Sequence, residues 1–153
     1  MLSILLVEDD EGVAKSLCCL ILAAQRAYQS DDVAKACAID FHRVTTLAEW
    51  IEHMNDPVDI VLLDLKLPDS TPRQTLDFLD GHDHLLPPTI VITAMEAGGN
   101  TDAWMLPSIA SGAKAFFSRS RLESDTGAKQ LLNSILCVYG IAQRERRRNA
   151  SKV

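Results

Sequence analysis

Residues 58–69 read Val-Asp-Ile-Val-Leu-Leu-Asp-Leu-Lys-Leu-Pro-Asp, and this stretch decides the fold. Val58 to Leu63 is nearly all apolar, and the run breaks on an acid, Asp64, ahead of Leu67-Pro68. A short apolar run without alternation fits a strand buried on both faces, which calls for a parallel sheet covered by helices. Working outward, Leu2 to Val7 and Thr89 to Thr93 are runs of the same kind, Ile39 to Val44 alternates, and Ala115 to Ser118 completes a set of five strands. Between them lie helical patterns. Val13, Leu17, Leu20, Ile21 and Ala24 recur at helical spacing. Thr46-Leu-Ala-Glu49 has the form of a capping box and predicts a helix from Leu47 to about Met54. Ser70-Thr71-Pro72 predicts a helix start, with Leu76 and Leu79 on its apolar face and an end near Gly81. A short helix from about Thr101 is expected to be interrupted at Pro107. Leu131, Leu132, Ile135, Val138, Tyr139 and Ala142 mark a last amphipathic helix. Strands alternating with helices give an α/β fold, (βα)5, with a doubly wound parallel five-stranded sheet.

The 153 residues fit one domain. The net charge is −6, which does not favour nucleic acid as a partner. The charge is uneven, because Gln143 to Val153 holds four Arg, one Lys and one Glu, leaving −10 on the rest. The expected division is therefore residues 1–142 as the folded domain and 143–153 as a basic tail, read as a solvated helix end where cations also suit the dipole. Cys18, Cys19, Cys37 and Cys137 show neither a C-x-x-C pair nor a zinc-ligand spacing, and are expected to be free thiols in a reducing compartment. No apolar run reaches membrane-spanning length, and the apolar N-terminus lacks a basic leader. These features predict a cytoplasmic protein without membrane contact.

In open α/β sheets, sites form beyond the carboxyl ends of the strands, where strand order reverses. Strand 1 runs into Glu8-Asp9-Asp10, strand 3 into Asp64, strand 4 ends on Thr93, and strand 5 is followed by Arg119. Carboxylates converging there raise one another's pKa, and a hard divalent cation relieves them. Asp64 is then an oxygen nucleophile able to form an acyl phosphate. Thr93 can hydrogen-bond a phosphoryl oxygen, and Arg119 can pair with another. Each acid taken singly is equally a turn or cap residue, and Asp10 suits the cap of helix 1.

The segments Ile4-Leu-Leu-Val-Glu-Asp-Asp10, Asp59-Ile-Val-Leu-Leu-Asp-Leu-Lys-Leu-Pro-Asp69, Ile90-Val-Ile-Thr-Ala94 and Gly112-Ala113 before Phe116 together resemble the receiver domain of two-component response regulators, over about residues 2 to 140. The resemblance implies a flavodoxin-like sheet of order 2-1-3-4-5 and a signalling switch rather than an enzyme. It implies phosphoryl transfer to Asp64 from a histidine kinase or phosphotransfer protein, with Mg2+ held by Glu8, Asp9 and Asp64. Thr93 matches the switch hydroxyl and Phe116 the switch aromatic, which is otherwise a plain core residue. Lys66 and Met95 match positions that tune phosphate lifetime, although Lys66 is equally a solvated loop lysine. The family also implies an unknown downstream protein and an output face, or homodimer contact, formed by helix 4, strand 5 and helix 5. Three departures stand out. The family's lysine-proline after strand 5 is Arg119-Ser120, the usual glycine eight residues after the acceptor is Pro72, and the connection between Asp9 and Asp64 is long, with its surplus around residues 25–37.

Three functions are compatible with these residues. One is a phosphoacceptor that signals by protein contact. The second is a pseudo-receiver, an interaction module whose switching no longer depends on phosphorylation, motivated by Arg119 and by the helix 4 expected to be broken at Pro107. The third is a phosphatase-like enzyme of the haloacid-dehalogenase type, which would want a second Asp two residues after the nucleophile, where this chain has Lys66.

Overall fold

The computed structural model describes residues 1–27, 38–94 and 101–152. Five parallel strands, β1 (Leu2–Val7), β2 (Ile39–Val44), β3 (Ile60–Leu63), β4 (Thr89–Thr93) and β5 (Ala115–Ser118), form one sheet of order β2-β1-β3-β4-β5. The helices are α1 (Glu11–Ala27), α2 (Leu47–Glu52), α3 (Pro72–His82), α4 (Met105–Ala110) and α5 (Asp125–Ala150), with 3-10 turns at Thr101–Trp104 and Arg119–Glu123. The expected α/β architecture and strand order are both present. The central strands β3 and β4 are buried at every position, as their unbroken apolar runs require, whereas edge strand β2 buries only Val44.

The sheet separates two apolar clusters. On one side α1 and α5 pack Leu17, Ile21, Leu131, Leu132 and Ile135 against Ile4, Leu6, Ile90 and Phe117. On the other, α2 and α3 pack Trp50, Leu76 and Leu79 against Val7, Val61, Leu63 and Val91, and Trp50 meets Phe78 edge to face at 4.9 Å. Strand order reverses between β1 and β3, which leaves a crevice at their carboxyl ends, and Glu8, Asp9, Asp64, Lys66, Thr93 and Arg119 lie at that end of the sheet, with Phe116 inside β5.

Local chemistry explains the element ends. Thr71 caps α3 through the Gln74 N–H, and the Gln74 side chain accepts from the Thr71 N–H, a complete capping box with Pro72 in the first turn. The box expected at Thr46 is half formed. Thr46 Oγ1 accepts from the Glu49 N–H at 3.0 Å, but the Glu49 carboxylate accepts from the Thr45 hydroxyl at 2.6 Å. The free N–H groups of Leu47 and Ala48 instead donate to the Asp69 carboxylate at 2.8 and 3.0 Å, so the loop after β3 caps α2.

The end of α3 expected near Gly81 falls at His82, whose Nδ1 lies 2.8 Å from the Phe78 carbonyl oxygen. One expected boundary is corrected, since Pro107 does not interrupt a helix. The 3-10 turn ends at Trp104, α4 begins at Met105, and Pro107 sits in the first turn, where its missing N–H costs nothing. The segment expected as a basic tail continues α5 through Ala150, and Arg146 pairs with Asp59 at 3.2 Å below the sheet. Cys18, Cys19 and Cys137 are free thiols, and Cys37 lies outside the described residues. No described helix is long and apolar enough to cross a membrane.

Candidate functional site

Each site residue is placed by the end of a strand. Pairing of β1 with β3 is extended by the Asp64 N–H, which donates to the Val7 carbonyl at 3.0 Å, and pairing of β1 with β2 by the Glu8 N–H, which donates to Val44 at 3.0 Å. These bonds set Asp64 and Glu8 side by side at the crevice, both less than a tenth exposed. Asp9 beside them is exposed. Asp10 has the bland role foreseen for it, since its carboxylate accepts from the Val13 N–H at 3.0 Å and holds the start of α1.

The two buried carboxylates are embedded in donors. Asp64 Oδ1 accepts from the Thr93 hydroxyl at 3.0 Å and from the Lys66 N–H at 3.4 Å. Asp64 Oδ2 accepts from Arg119 Nη2 at 3.3 Å. The same Nη2 donates to Glu8 Oε2 at 3.0 Å, and Glu8 Oε1 accepts from the Asp10 N–H at 3.1 Å. Burial first, and then the Asp64 charge, push the Glu8 carboxyl up to about 7. Burial also raises Asp64, against the pull of Arg119 and of the Thr93 hydroxyl.

Glu8, Asp9 and Asp64 each offer a carboxylate oxygen, and these oxygens lie within 4.8 Å of one another. Three hard oxygen donors, two of them short of compensating positive charge, fit a cation such as Mg2+ better than any soft metal.

The other expected residues are placed as follows. The Lys66 side chain is exposed on the loop after Asp64. Phe116 is half-buried and packs with the α2–α3 cluster, next along the chain to Phe117, which packs in the opposite one. Met95 lies outside the described residues. Two contributors were not foreseen. Arg43, opposite Leu6 in the β1–β2 register, donates to the carbonyls of Glu8 and Asp9 at 3.3 and 3.4 Å and so braces the acidic loop. Thr75 is fully buried, and its hydroxyl donates to the Leu65 carbonyl at 3.0 Å, fixing the chain just past Asp64.

No protein-family model and no curated protein sequence matches the chain. Solved structures do. A signal receiver domain from Vibrio parahaemolyticus is 25% identical, with 94% of each chain covered and a TM-score of 0.64. A response regulator receiver domain protein from Methanospirillum hungatei is 18% identical, with 95% of this chain and 98% of that one covered and a TM-score of 0.67. This chain has the receiver fold of response regulators. A response regulator from Burkholderia pseudomallei, 14% identical with a TM-score of 0.61 over 95% of this chain and 73% of that one, was solved with a phosphorylated aspartic acid and a calcium ion. The Glu8, Asp9 and Asp64 cluster resembles the metal site of such receivers.

Proposed function

We propose that this receiver is a phosphoacceptor of two-component signalling, taking a phosphoryl group on Asp64 from a histidine kinase or phosphotransfer protein and acting on a downstream protein by contact. The observation that carries the reading is the pair of donors on Asp64, the Thr93 hydroxyl on one oxygen and the Arg119 guanidinium on the other, with Glu8 and Asp9 alongside. An ionised Asp64 oxygen attacks phosphorus, the bond from phosphorus to the donor's imidazole nitrogen breaks, and that nitrogen keeps the electron pair. Glu8, Asp9 and Asp64 would hold Mg2+, which when bound would supply neutralising charge for the incoming phosphoryl oxygens. Thr93 and Arg119 then have new acceptors to hold, and the Thr93 hydroxyl turning to a phosphoryl oxygen opens room for Phe116 on the α2–α3 side. The reading places the protein in the cytoplasm, where such donors are phosphorylated. Incubation with Mg2+ and acetyl phosphate tests it by mass spectrometry, with addition of one phosphoryl group expected.

Metal binding should depend on pH through Glu8. Its folded pKa of about 7 exceeds the ordinary value of 4.5, so the metal-free fold binds the extra proton between these pH values. The Glu8 contribution to the stability of the metal-free protein is therefore full below pH 4.5 and lost as pH rises through 7. Metal ligation requires the deprotonated form, so the sign reverses when Mg2+ is added. The apparent Mg2+ affinity should be about tenfold higher at pH 8 than at pH 6, and the melting temperature should rise more on addition of Mg2+ at the higher pH. Equal shifts at the two pH values would remove Glu8 from the ligand set.

A second reading has its own observation. Arg119 already neutralises part of the charge on Glu8 and Asp64, which is compatible with an interaction module that does not switch by phosphorylation. That reading predicts partner affinity indifferent to Asp64→Asn.

A further inference from the structure

The loop that follows Asp64 is held at two points of unequal strength. At the near end Thr75 is fully buried in α3, and its hydroxyl donates to the Leu65 carbonyl at 3.0 Å and lies 2.7 Å from Ser70 Oγ. Leu67-Pro68-Asp69-Ser70 then closes as a tight turn, in which the Ser70 N–H donates to the Leu67 carbonyl at 3.3 Å and proline stiffens the second position. At the far end Asp69 reaches out of this turn to another element. Its Oδ1 accepts from the Leu47 N–H at 2.8 Å and its Oδ2 from the Ala48 N–H at 3.0 Å, so both oxygens are taken by the first turn of α2. Between the two anchors lies Lys66, whose N–H donates to Asp64 Oδ1. The anchors differ in what it costs to move them. Thr75 is buried with its bonds, whereas Asp69 is exposed and α2 has six residues with Trp50 as its one buried side chain. A displacement of the Lys66 N–H is therefore resisted at Thr75 and passes to Asp69 and α2. Capping alone does not account for the source of this carboxylate, since Thr46 already caps α2 from the helix's own start.

We propose that Asp69 is a positioning residue of the acceptor site, and that α2 is coupled through it to the state of Asp64. A phosphoryl group on Asp64 brings new acceptor oxygens beside Oδ1, so the Lys66 N–H meets a changed set of partners. The turn moves with that N–H, and the surroundings of the two capped amides change with it. The coupling also runs the other way. A loop released from α2 no longer fixes the Lys66 N–H, and the Asp64 carboxylate loses a donor that orients it for attack. This route leaves the site along the loop after β3, separately from Thr93. The inference rests on the reading of Asp64 as the phosphoacceptor.

The test uses the whole chain with Mg2+ and acetyl phosphate. Phosphoryl uptake is followed by mass spectrometry, and the Leu47 and Ala48 backbone amides by 15N NMR. In the wild type both amide signals are expected to shift in step with uptake. Asp69→Ala should take up the phosphoryl group about fivefold more slowly, and its Leu47 and Ala48 signals should no longer respond to it. Asp69→Asn keeps one acceptor oxygen and should fall between the two in rate. Wild-type amide signals that stay unshifted at full phosphorylation overturn the coupling. So does an Asp69→Ala uptake rate equal to the wild type with only the α2 amides losing protection, which would make Asp69 a helix cap and nothing more. Absence of phosphoryl uptake by the wild type would overturn the reading of Asp64, and the proposal with it.

Discussion

Asp64→Asn is expected to take up no phosphoryl group from acetyl phosphate, and to melt a few degrees above the wild type when metal is absent. The first result follows from chemistry, since a carboxamide oxygen is too poor a nucleophile to form the acyl phosphate. The second follows from the surroundings of the residue. Glu8 and Asp64 are both nearly fully buried, and one nitrogen of Arg119 pairs with both. Removing one of the two charges relieves a repulsion that adds to burial in raising the Glu8 carboxyl, and leaves Arg119 to pair with Glu8 alone. Substituting a buried charge whose compensation is incomplete is often stabilising, here by about 1 kcal/mol or a rise of roughly 2–4 °C. A residual mass shift in Asp64→Asn would move the acceptor to another acid and sink the proposed function. A lowered melting temperature with phosphorylation lost would keep the acceptor and refute only the electrostatic argument.

Gly127→Ala should have the largest effect on stability of any single methyl added to the described helices. Gly127 is buried in the first turn of α5, and its N–H donates to the Ser124 hydroxyl cap at 3.0 Å. A Cβ there would run into the backbone carbonyl of Arg121, within the Arg119–Glu123 turn. Backbone cannot yield as a flexible side chain does, so turn and helix must separate. Other bonds oppose that separation, since Arg121 donates to Gln130 at 3.1 and 2.7 Å and stacks over Phe117 at 5.1 Å. Overpacking of this kind costs about 2–3 kcal/mol, a fall of roughly 4–12 °C in Tm. The turn also begins with Arg119, so the variant should bind Mg2+ with altered affinity even when folded. A melting temperature within a degree of the wild type would show that the turn moves freely.

How much of this was legible in the sequence depends on whether the deciding information is local. Buried parallel strands are continuous apolar runs, so β1, β3 and β4 could be read directly, and the acids that end such runs were placed with them. Thr71 and Pro72 likewise carry a helix start in four residues. The misreadings came from residues whose meaning depends on register. Pro107 breaks a helix from its interior and is harmless in its first turn, and only the switch from 3-10 to α at Met105 decides which applies. Asp69 was visible as part of the Leu-Pro-Asp motif, while its use as a cap for α2 depends on a contact across 22 positions. Arg43 had no local signal, since it matters only because β2 lies beside β1 with Leu6 opposite. The chain position of Arg119 was evident from β5, but its straddling of two acids required Glu8 and Asp64 to be seen together.

The short helix α4 gives the two faces of the sheet unequal resistance to opening. It has six residues, its one buried side chain is Ser108, whose hydroxyl donates to the Trp104 carbonyl, and Met105, Leu106 and Ile109 are exposed. The face opposite is spanned by α1, which buries Leu17 and Ile21, and by the first half of α5, which buries Leu131, Leu132 and Ile135. Local unfolding draws on the element with least apolar burial to lose, so amide exchange in α4 belongs to the fast, subglobal class while α1 and α5 exchange with the whole fold. On the proposed function, a change at Asp64 is expected to be felt first at α4, where a patch of apolar side chains already faces outward.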